Sequence, residues 1–253
     1  MGAAPGVRRG VFVTGTDTGV GKSVLAAAIC AALGARGERA AAFKPAVTGL
    51  DEAPGEWPPD HELLAAAASA GQSPDRVAPY RFGPPASPHL AAELAGARIE
   101  PAILLDAARD AAERADALVV EGVGGLMVPL TSGYFVRDLA IDLGLPIVVA
   151  ARTGLGTINH TLLTIGAGRS AGLRVAGVAM TPWPPDPEPI ERSNRDTVER
   201  LGGVSVTGLA PTDPASLAAA GSALPLDEWL AGSGRMGAHS GHVISSRRPP
   251  GGS

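Results

Sequence analysis

The segment that most constrains the fold of this chain is VFVTGTDTGVGKS, residues 11–23. It combines a short apolar strand, a glycine-rich turn and the start of a helix, in the order that a phosphate-binding loop requires. Glycines let backbone N–H groups converge on phosphate oxygens, and a helix N-terminus adds a favourable dipole. In such a loop Lys22 contacts the terminal phosphates and Ser23 binds Mg²⁺. The segment therefore predicts a nucleotide site at the end of a parallel strand.

The loop departs at one position from the usual spacing G-x-x-x-x-G-K-[ST]. The first glycine of that pattern would replace Thr16, but it stands one residue earlier, at Gly15. A chance glycine turn is the alternative interpretation. The flanking strand and helix, with Gly19 and Gly21 between them, favour phosphate binding.

Short β-branched runs alternate with Ala- and Leu-rich runs along the chain. Several runs are apolar throughout, as in sheets covered on both faces, and the alternation implies right-handed crossovers between parallel strands. The predicted fold class is α/β, a P-loop NTPase with a doubly wound, mostly parallel sheet and helices on both faces. The predicted strands are residues 11–15, 39–44, 117–122, 146–151, 174–180 and 204–210, and the predicted helices are residues 23–36, 60–70, 101–115, 136–143, 158–171 and 189–201.

The domain organisation follows from composition along the chain. Residues 1–231 are expected to form a single P-loop domain, and residues 232–253, rich in Gly, Ser, Arg and Pro, to be a disordered tail. Two proline-rich segments, residues 50–59 and 80–88, are expected to be loops. In such folds, loops at the carboxyl ends of strands carry the site.

Composition and charge argue against several classes of function. The formal net charge of −4 disfavours non-specific nucleic-acid binding, which needs a basic face. The single cysteine, Cys30, allows no internal disulfide or cysteine metal cluster and is expected to be a small buried hydrophobe. No apolar run approaches the roughly 18 residues that span a membrane. The expected compartment is therefore the cytoplasm, with neither a membrane nor a nucleic acid as partner.

A magnesium nucleotide site needs carboxylates beside the phosphate loop, because Mg²⁺ prefers hard oxygen ligands. Glu121 ends the apolar run ALVVE, where a neighbouring parallel strand would bring it near Ser23. An ordinary strand-end acid is the alternative. Asp60 opens a predicted helix after the long loop, and a plain helix N-cap is a strong alternative that can coexist with metal binding.

Lysine is scarce in this chain. Lys22 and Lys44 are the only lysines among 21 Lys and Arg residues. Lysine carries a compact point charge on a flexible stem, whereas arginine is a wide planar fork. Lys44, at the end of the second predicted strand, is therefore a candidate for a crowded phosphate site. The alternative is that lysine stands at this position by chance.

Five segments resemble, in the same order, those of dethiobiotin synthetase, the ATP-dependent enzyme of biotin synthesis. They are VFVTGTDTGVGKS, FKPAVTG, PYRFGPPASPH, VEGVGGLMVPL and LGTINHTLLT. The resemblance covers roughly residues 11–211, and the shifted first glycine is this family's form of the loop. Ordered motifs of this number are far more specific than one phosphate loop.

The resemblance implies closure of a cyclic urea. CO₂ adds to one amine of 7,8-diaminononanoate to give a carbamate, ATP phosphorylates the carbamate, and the other amine displaces phosphate to give dethiobiotin. ATP is the co-substrate, Mg²⁺ is the cofactor and the enzyme is a homodimer. No covalent enzyme intermediate is needed, because phosphoryl transfer is catalysed mainly by positioning and charge stabilisation.

The resemblance also assigns roles to matched positions. Lys44 and Lys22 are the expected catalytic residues, and Lys44 contacts the carbamate and the transferring phosphoryl group. The expected Mg²⁺ ligands are Ser23, Asp60 and Glu121. The expected nucleotide contacts are Gly19, Val20, Gly21, Lys22, Ser23, Val24, Asp60, Glu121, Gly122, Val123, Gly124, Thr181 and Pro211. The expected substrate contacts are Thr48 and, across the dimer interface, the helix start Thr157, Ile158 and Asn159, where free N–H groups suit a carboxylate.

One position departs from the family's pattern. Just after the AGVAM run the family usually has an asparagine that reads the adenine edge, whereas this chain has Thr181. A threonine hydroxyl can make one such contact but cannot copy a bidentate amide. Weak discrimination between ATP and other nucleoside triphosphates is therefore expected.

Two other functions stay open on the sequence. One is a different reaction on the same fold, such as a small-molecule kinase or an amide-forming synthetase. An amidotransferase would need a nucleophilic cysteine, for which Cys30, inside the first helix, is a poor candidate. The other is a partition or site-selection ATPase, which usually carries a lysine where this chain has Asp17. The acidic net charge and the lack of a basic amphipathic C-terminal helix disfavour that function.

Overall fold

Strands and helices alternate along the described part of the chain. A computed structural model describes residues 7, 9–53 and 55–231, so the predicted tail at 232–253 lies outside the described residues. The strands are β1 (Gly10–Gly15), β2 (Ala40–Phe43), β3 (Ala46–Val47), β4 (Tyr80–Arg81), β5 (Ala117–Gly125), β6 (Pro129–Thr131), β7 (Tyr134–Phe135), β8 (Ile147–Ala151), β9 (Val175–Met180) and β10 (Val206–Gly208). The helices are α1 (Lys22–Ala35), α2 (Asp60–Ala67), α3 (Pro74–Val77), α4 (Pro88–Leu94), α5 (Pro101–Glu113), α6 (Val136–Leu143), α7 (Thr157–Ser170), α8 (Pro189–Gly202), α9 (Leu217–Ser222) and α10 (Leu226–Leu230).

Six strands form one sheet in the order β10-β9-β8-β1-β5-β2, and every neighbouring pair is parallel. The carboxyl ends of these strands therefore meet at one edge. From β1 the chain first builds the β5–β2 side of the sheet and then the β8–β9–β10 side. Such a switch in strand order leaves a crevice at the carboxyl edge, where ligands bind in α/β sheets.

Helices cover both faces of the sheet. Val11 and Val13 of β1 pack with apolar residues of α1, α2, α9 and α10, whereas Phe12 packs with residues of α5, α6, α7 and α8. Successive side chains of a strand point to opposite faces, so an apolar strand needs cover on both. The predicted fold class, a doubly wound parallel α/β sheet, is confirmed.

Each predicted strand and helix has a counterpart, and apart from the helix at 136–143, which has the predicted bounds, one or both ends differ. The helix predicted at 60–70 ends at Ala67, because the chain turns there to cover the edge strand β2. The N–H of Ala40 donates to Ser69 Oγ at 2.8 Å, and the N–H of Ala70 donates to the Ala40 carbonyl oxygen at 3.0 Å. The strand predicted at 204–210 is shorter, Val206–Gly208.

Several short elements were not predicted, namely α3, α4, α9, α10 and the pairs β3–β4 and β6–β7. The loop expected at residues 80–88 begins as β4 and runs into α4. Pro88 occupies the first turn of that helix, where a missing N–H costs nothing and the fixed φ is helical. The proline that suggested a loop therefore marks a helix start.

Two expectations from composition can be compared with the structure. Cys30 is fully buried in α1, and burial raises the pKa of its thiol to about 12, so it is a small core residue as expected. Among residues 9–53 and 55–231, no helix combines the length and apolarity needed to cross a membrane.

Candidate functional site

The candidate site is a cavity at the carboxyl edge of the sheet. Its volume is about 1060 Å³, and the loops that follow β1, β2, β5, β9 and β10 contribute to its walls. Lys44 follows β2 directly, Glu121 lies within β5, and α2 begins at Asp60. The parallel sheet thus brings chain segments that are far apart in sequence to one place.

The phosphate loop joins β1 to α1 with a close packing that explains its shifted glycine. A Cβ added at Gly15 would lie 2.9 Å from both the Asp17 carbonyl oxygen and Val20 Cγ2. A side chain at this position would therefore force the loop apart. Within the loop, Lys22 Nζ donates to the same Asp17 carbonyl oxygen at 2.8 Å, so the lysine folds back over the loop that it closes.

Four side chains converge beside the phosphate loop. Lys44 Nζ lies 2.5 Å from Glu121 Oε1 and 2.7 Å from Asp60 Oδ2. Ser23 Oγ donates to the same Glu121 Oε1 at 2.8 Å. Lys44 is 3% exposed and Glu121 is fully buried, so this pair interacts with little screening by solvent, whereas the Asp60 side chain is 40% exposed. This arrangement links the loop, β2, α2 and β5.

The pKa values of this cluster are perturbed by burial and by neighbouring charges. Burial alone would lower the pKa of Lys44, but Glu121 and Asp60 hold it above its ordinary value. Burial, together with repulsion from Asp60, raises the pKa of Glu121 above its ordinary value despite the opposing attraction of Lys44. For Asp60 burial is the largest effect and raises the pKa, but Lys44, Ser23 and Lys22 together hold it below its ordinary value. Clustered shifts of this kind are characteristic of functional sites.

The second lysine is also perturbed. Burial lowers the pKa of Lys22, with a smaller opposing effect from Glu121. Lys22 is 7% exposed and its main hydrogen bond is to a neutral carbonyl oxygen. Its charge is thus poorly compensated within the protein, which suits it to an anionic ligand such as a phosphate group.

The residues present fit a magnesium ion. Glu121 Oε2 is buried and has no hydrogen-bond partner, so the carboxylate has an unused acceptor beside Ser23 and Asp60. Mg²⁺ is typically held by one or two carboxylates together with substrate phosphates and waters. In the described part of the chain, no group of three or more His, Cys, Asp or Glu residues that could hold a metal occurs.

Most of the predicted site residues line this cavity. They are Gly19, Gly21, Lys22, Ser23, Val24, Lys44, Thr48, Asp60, Glu121, Val123, Gly124, Thr181 and Pro211. Val20 and Gly122 are buried outside it, Val20 in the core under α1 and Gly122 against Phe12 and Val136. The helix start Thr157–Asn159 is not part of the cavity wall in the single chain.

Other lining residues were not predicted individually. Glu52, Glu56 and Trp57 come from the loop before α2, and residues 85–88 come from the segment that leads into α4 and ends at its first residue. Both belong to the proline-rich segments that the sequence singled out as site-bearing loops. The signal therefore identified the loops, but not which of their side chains face the cavity.

The comparisons with known proteins identify the family. A protein-family model described as an AAA domain matches residues 9–219. A relative from Anaeromyxobacter dehalogenans (strain 2CP-1), named ATP-dependent dethiobiotin synthetase BioD, is 45% identical over 206 residues, 81% of this chain and 91% of the relative. This chain belongs to the ATP-dependent dethiobiotin synthetase family. A Bacillus subtilis (strain 168) dethiobiotin synthetase of the same name is 34% identical over 203 residues, 80% of this chain and 87% of the relative.

Comparison with solved structures shows a similar fold but does not identify the family. Cyanthece apo McdA aligns over 87% of this chain and 92% of its own chain, with a TM-score of 0.50 and 10% sequence identity. An identity this low shows the P-loop fold alone. The resemblance drawn from the five sequence motifs is therefore confirmed by sequence relatives and not by structural neighbours.

Proposed function

We propose that this chain closes the cyclic urea ring of dethiobiotin from 7,8-diaminononanoate, CO₂ and ATP. The observation that carries the proposal is the Lys44–Glu121–Asp60–Ser23 cluster, placed beside the phosphate loop in one cavity. The relatives of this chain are named as ATP-dependent dethiobiotin synthetases. Because ATP is a cytoplasmic metabolite, we propose the same compartment for the enzyme.

The sheet order suggests how the substrates are arranged. The phosphate loop follows the central strand β1, Lys44 and Glu121 lie on the β5–β2 side, and Thr181 and Pro211 follow β9 and β10 on the other side. With the triphosphate on the loop, the nucleoside would lie toward β9 and β10. The transferring phosphoryl group would then point toward Lys44 and Thr48. This orientation puts the chemistry where the buried charges are.

In the proposed reaction, an amine nitrogen bonds to the carbon of CO₂ and loses a proton, giving a carbamate. A carbamate oxygen then attacks the γ-phosphorus and ADP departs. The other amine attacks the carbamate carbon and loses a proton, and phosphate leaves with that oxygen. Lys44 holds the carbamate oxygen against the phosphoryl group, and Lys22 stabilises the terminal phosphates. Both lysines act by position and charge, which suffices for phosphoryl transfer.

Ser23, Asp60 and Glu121 would hold Mg²⁺, which when bound neutralises charge on the phosphate oxygens. In the described structure Lys44 occupies both carboxylates. The carboxylates that would hold the metal are therefore the same ones that fix the Lys44 ammonium beside the phosphate loop.

The test of this function is diamine-dependent phosphate release. Purified protein is supplied with Mg²⁺, ATP, ¹³C-bicarbonate and 7,8-diaminononanoate, and we expect phosphate, ADP and a product that contains the labelled carbon. A small-molecule kinase would instead leave the phosphoryl group on its product. Phosphate release that ignores the diamine, or a product without the label, would contradict the proposal.

Nucleotide selectivity is expected to be weak because of Thr181. Its methyl group packs on the phosphate loop, since a Cβ added at Gly21 would lie 2.7 Å from Thr181 Cγ2. One hydroxyl remains for the base, and a single neutral hydrogen bond contributes about 0.5–1.5 kcal/mol. We therefore predict kcat/KM values for ATP and CTP within about tenfold of each other. A hundredfold preference for ATP would contradict this, and Thr181→Asn should increase whatever preference exists.

We also propose a homodimer in which the helix start Thr157–Asn159 receives the substrate carboxylate across the interface. The first turn of α7 has backbone N–H groups without intrahelical acceptors, yet it lies outside the cavity of a single chain. Asn159 and Leu163 are one turn apart and share a face of α7. Leu163 is 64% exposed and the preceding Leu155 is 94% exposed, as expected for an apolar face that a second copy covers.

The dimer leads to a specific expectation for Leu163→Asp. Burying a leucine contributes about 1.5–3 kcal/mol, and a carboxylate in its place would have to be desolvated, so we expect a monomer. The monomer should show a raised KM for the diamine and an unchanged Kd for ATP. Leu201→Asp, at a comparably exposed leucine of α8, is the matched control. Analytical ultracentrifugation distinguishes the variants, and a Leu163→Asp dimer would contradict this interface.

A further inference from the structure

A tryptophan behind the cavity joins the two segments that form its β9–β10 end. Residues 181–182 follow β9 and residues 210–212 follow β10, and both segments line the cavity, whereas Trp183 does not. The N–H of Trp183 donates to the Leu209 carbonyl oxygen at 2.7 Å, and the N–H of Leu209 donates to the Met180 carbonyl oxygen at 2.9 Å. These bonds extend the β9–β10 pairing beyond the strands and toward the cavity.

The indole of Trp183 is held from two sides. A Cβ added at Gly208 would lie 2.3 Å from Trp183 Cγ, so the absence of a side chain there is what lets the ring approach β10. On α8, the guanidinium carbon of Arg195 lies 5.6 Å from a ring centroid of the indole, and Arg195 Nε donates to the Val206 carbonyl oxygen at 3.2 Å. A cation over an indole face is attracted by the ring quadrupole. The ring is thus fixed against both β10 and α8.

We propose that Trp183 is a positioning residue for the nucleoside half of the nucleotide, because it fixes residues 181–182 relative to residues 210–212. The inference rests on the proposed function, in which these segments face the nucleoside. When the walls of a site are already ordered, less conformational entropy is lost on ligand binding. The triphosphate is held by the phosphate loop on β1, so its affinity does not depend on Trp183.

The experiment compares two ligands that share the triphosphate. Binding of MgATP and of magnesium tripolyphosphate is measured by calorimetry for the native chain, Trp183→Ala and Trp183→Phe. For Trp183→Ala we expect the Kd of ATP to rise about tenfold or more, with the Kd of tripolyphosphate unchanged. The KM for ATP should rise in parallel, with kcat at saturation retained. Trp183→Phe keeps a flat ring on Gly208 and should restore most of the affinity for ATP.

A second variant covers the case in which Trp183→Ala does not fold. Gly208→Ala keeps the indole, but the added methyl group would displace the ring from its position against β10. This variant should therefore show the same selective loss of ATP affinity. Equal losses for ATP and tripolyphosphate would show a general disturbance and overturn the inference, as would unchanged ATP binding in folded Trp183→Ala and Gly208→Ala. Failure of the native chain to bind ATP would instead contradict the proposed function.

Discussion

Replacing Lys44 by arginine is expected to keep the charge but lower kcat by about 100-fold or more, the size of effect seen when one transition-state donor is lost. Lys44 Nζ sits between Glu121 Oε1 at 2.5 Å and Asp60 Oδ2 at 2.7 Å, with 3% of the residue exposed. A guanidinium is wider than an ammonium and favours a planar, two-pronged contact with one carboxylate. It would either displace Asp60 or remain paired with Glu121. In both cases it would not present a charge to the carbamate.

Three measurements separate this loss from a folding defect. The melting temperature of Lys44→Arg and its Kd for ATP should stay close to those of the native chain, while steady-state phosphate release falls. Arg152→Lys is the matched control, because it reverses the same exchange at an exposed residue whose Nη2 donates to the Thr18 carbonyl oxygen at 3.1 Å. We expect little change there. A Lys44→Arg enzyme with near-normal kcat would show that the shape of the cation is irrelevant.

The phosphate loop and the two strand ends beside it could be predicted because each depends on a few adjacent residues. A glycine-rich turn between an apolar strand and a helix is recognisable locally, and so is Glu121, an acid that closes an apolar run. Parallel pairing of β1 with β5 then places Glu121 next to Val13. Lys44 was singled out by the rarity of lysine, and its position at the end of β2 follows from the same sheet.

The contacts that could not be predicted depend on chain segments that are distant in sequence. Lys44 and Glu121 are 77 residues apart, and nothing in either segment indicates that one ammonium serves both Glu121 and Asp60. Trp183 stands among prolines and gives no periodic signal, so its packing on Gly208 is visible only in three dimensions. The role of Thr157–Asn159 stays a prediction, because a single chain does not show a site that is formed between two chains.

Replacing Glu121 by glutamine is expected to separate stability from metal-dependent binding. The Glu121 side chain is fully buried, and burial raises its pKa. An acid with a raised pKa in the folded state lowers stability at pH values above its ordinary pKa, so removing the charge relieves part of that cost. Lys44 still keeps Asp60 as a partner, which limits the penalty of breaking the pair. The melting temperature without ligands should therefore change little.

The same substitution should remove most of the effect of Mg²⁺ on ATP binding. Loss of even an outer-shell partner of a metal ligand typically costs about 10- to 100-fold in metal affinity, and Glu121 is proposed to be a ligand itself. We expect Mg²⁺ to increase the ATP-induced rise in melting temperature in the native chain but not in Glu121→Gln. Turnover should also fall in Glu121→Gln, because uncompensated phosphate charge would oppose phosphoryl transfer.

Glu52→Gln provides the matched control for Glu121→Gln, because Glu52 also lines the cavity but lies next to Gly49 and outside the Lys44 cluster. It should retain the full Mg²⁺ effect. If Glu52→Gln and Glu121→Gln lose the effect equally, the ion is held by the overall negative charge of the cavity rather than by a defined ligand set. If neither loses it, the metal does not bind at Glu121. The cluster would then serve to hold Lys44, and the unpaired Glu121 Oε2 would have no role in metal binding.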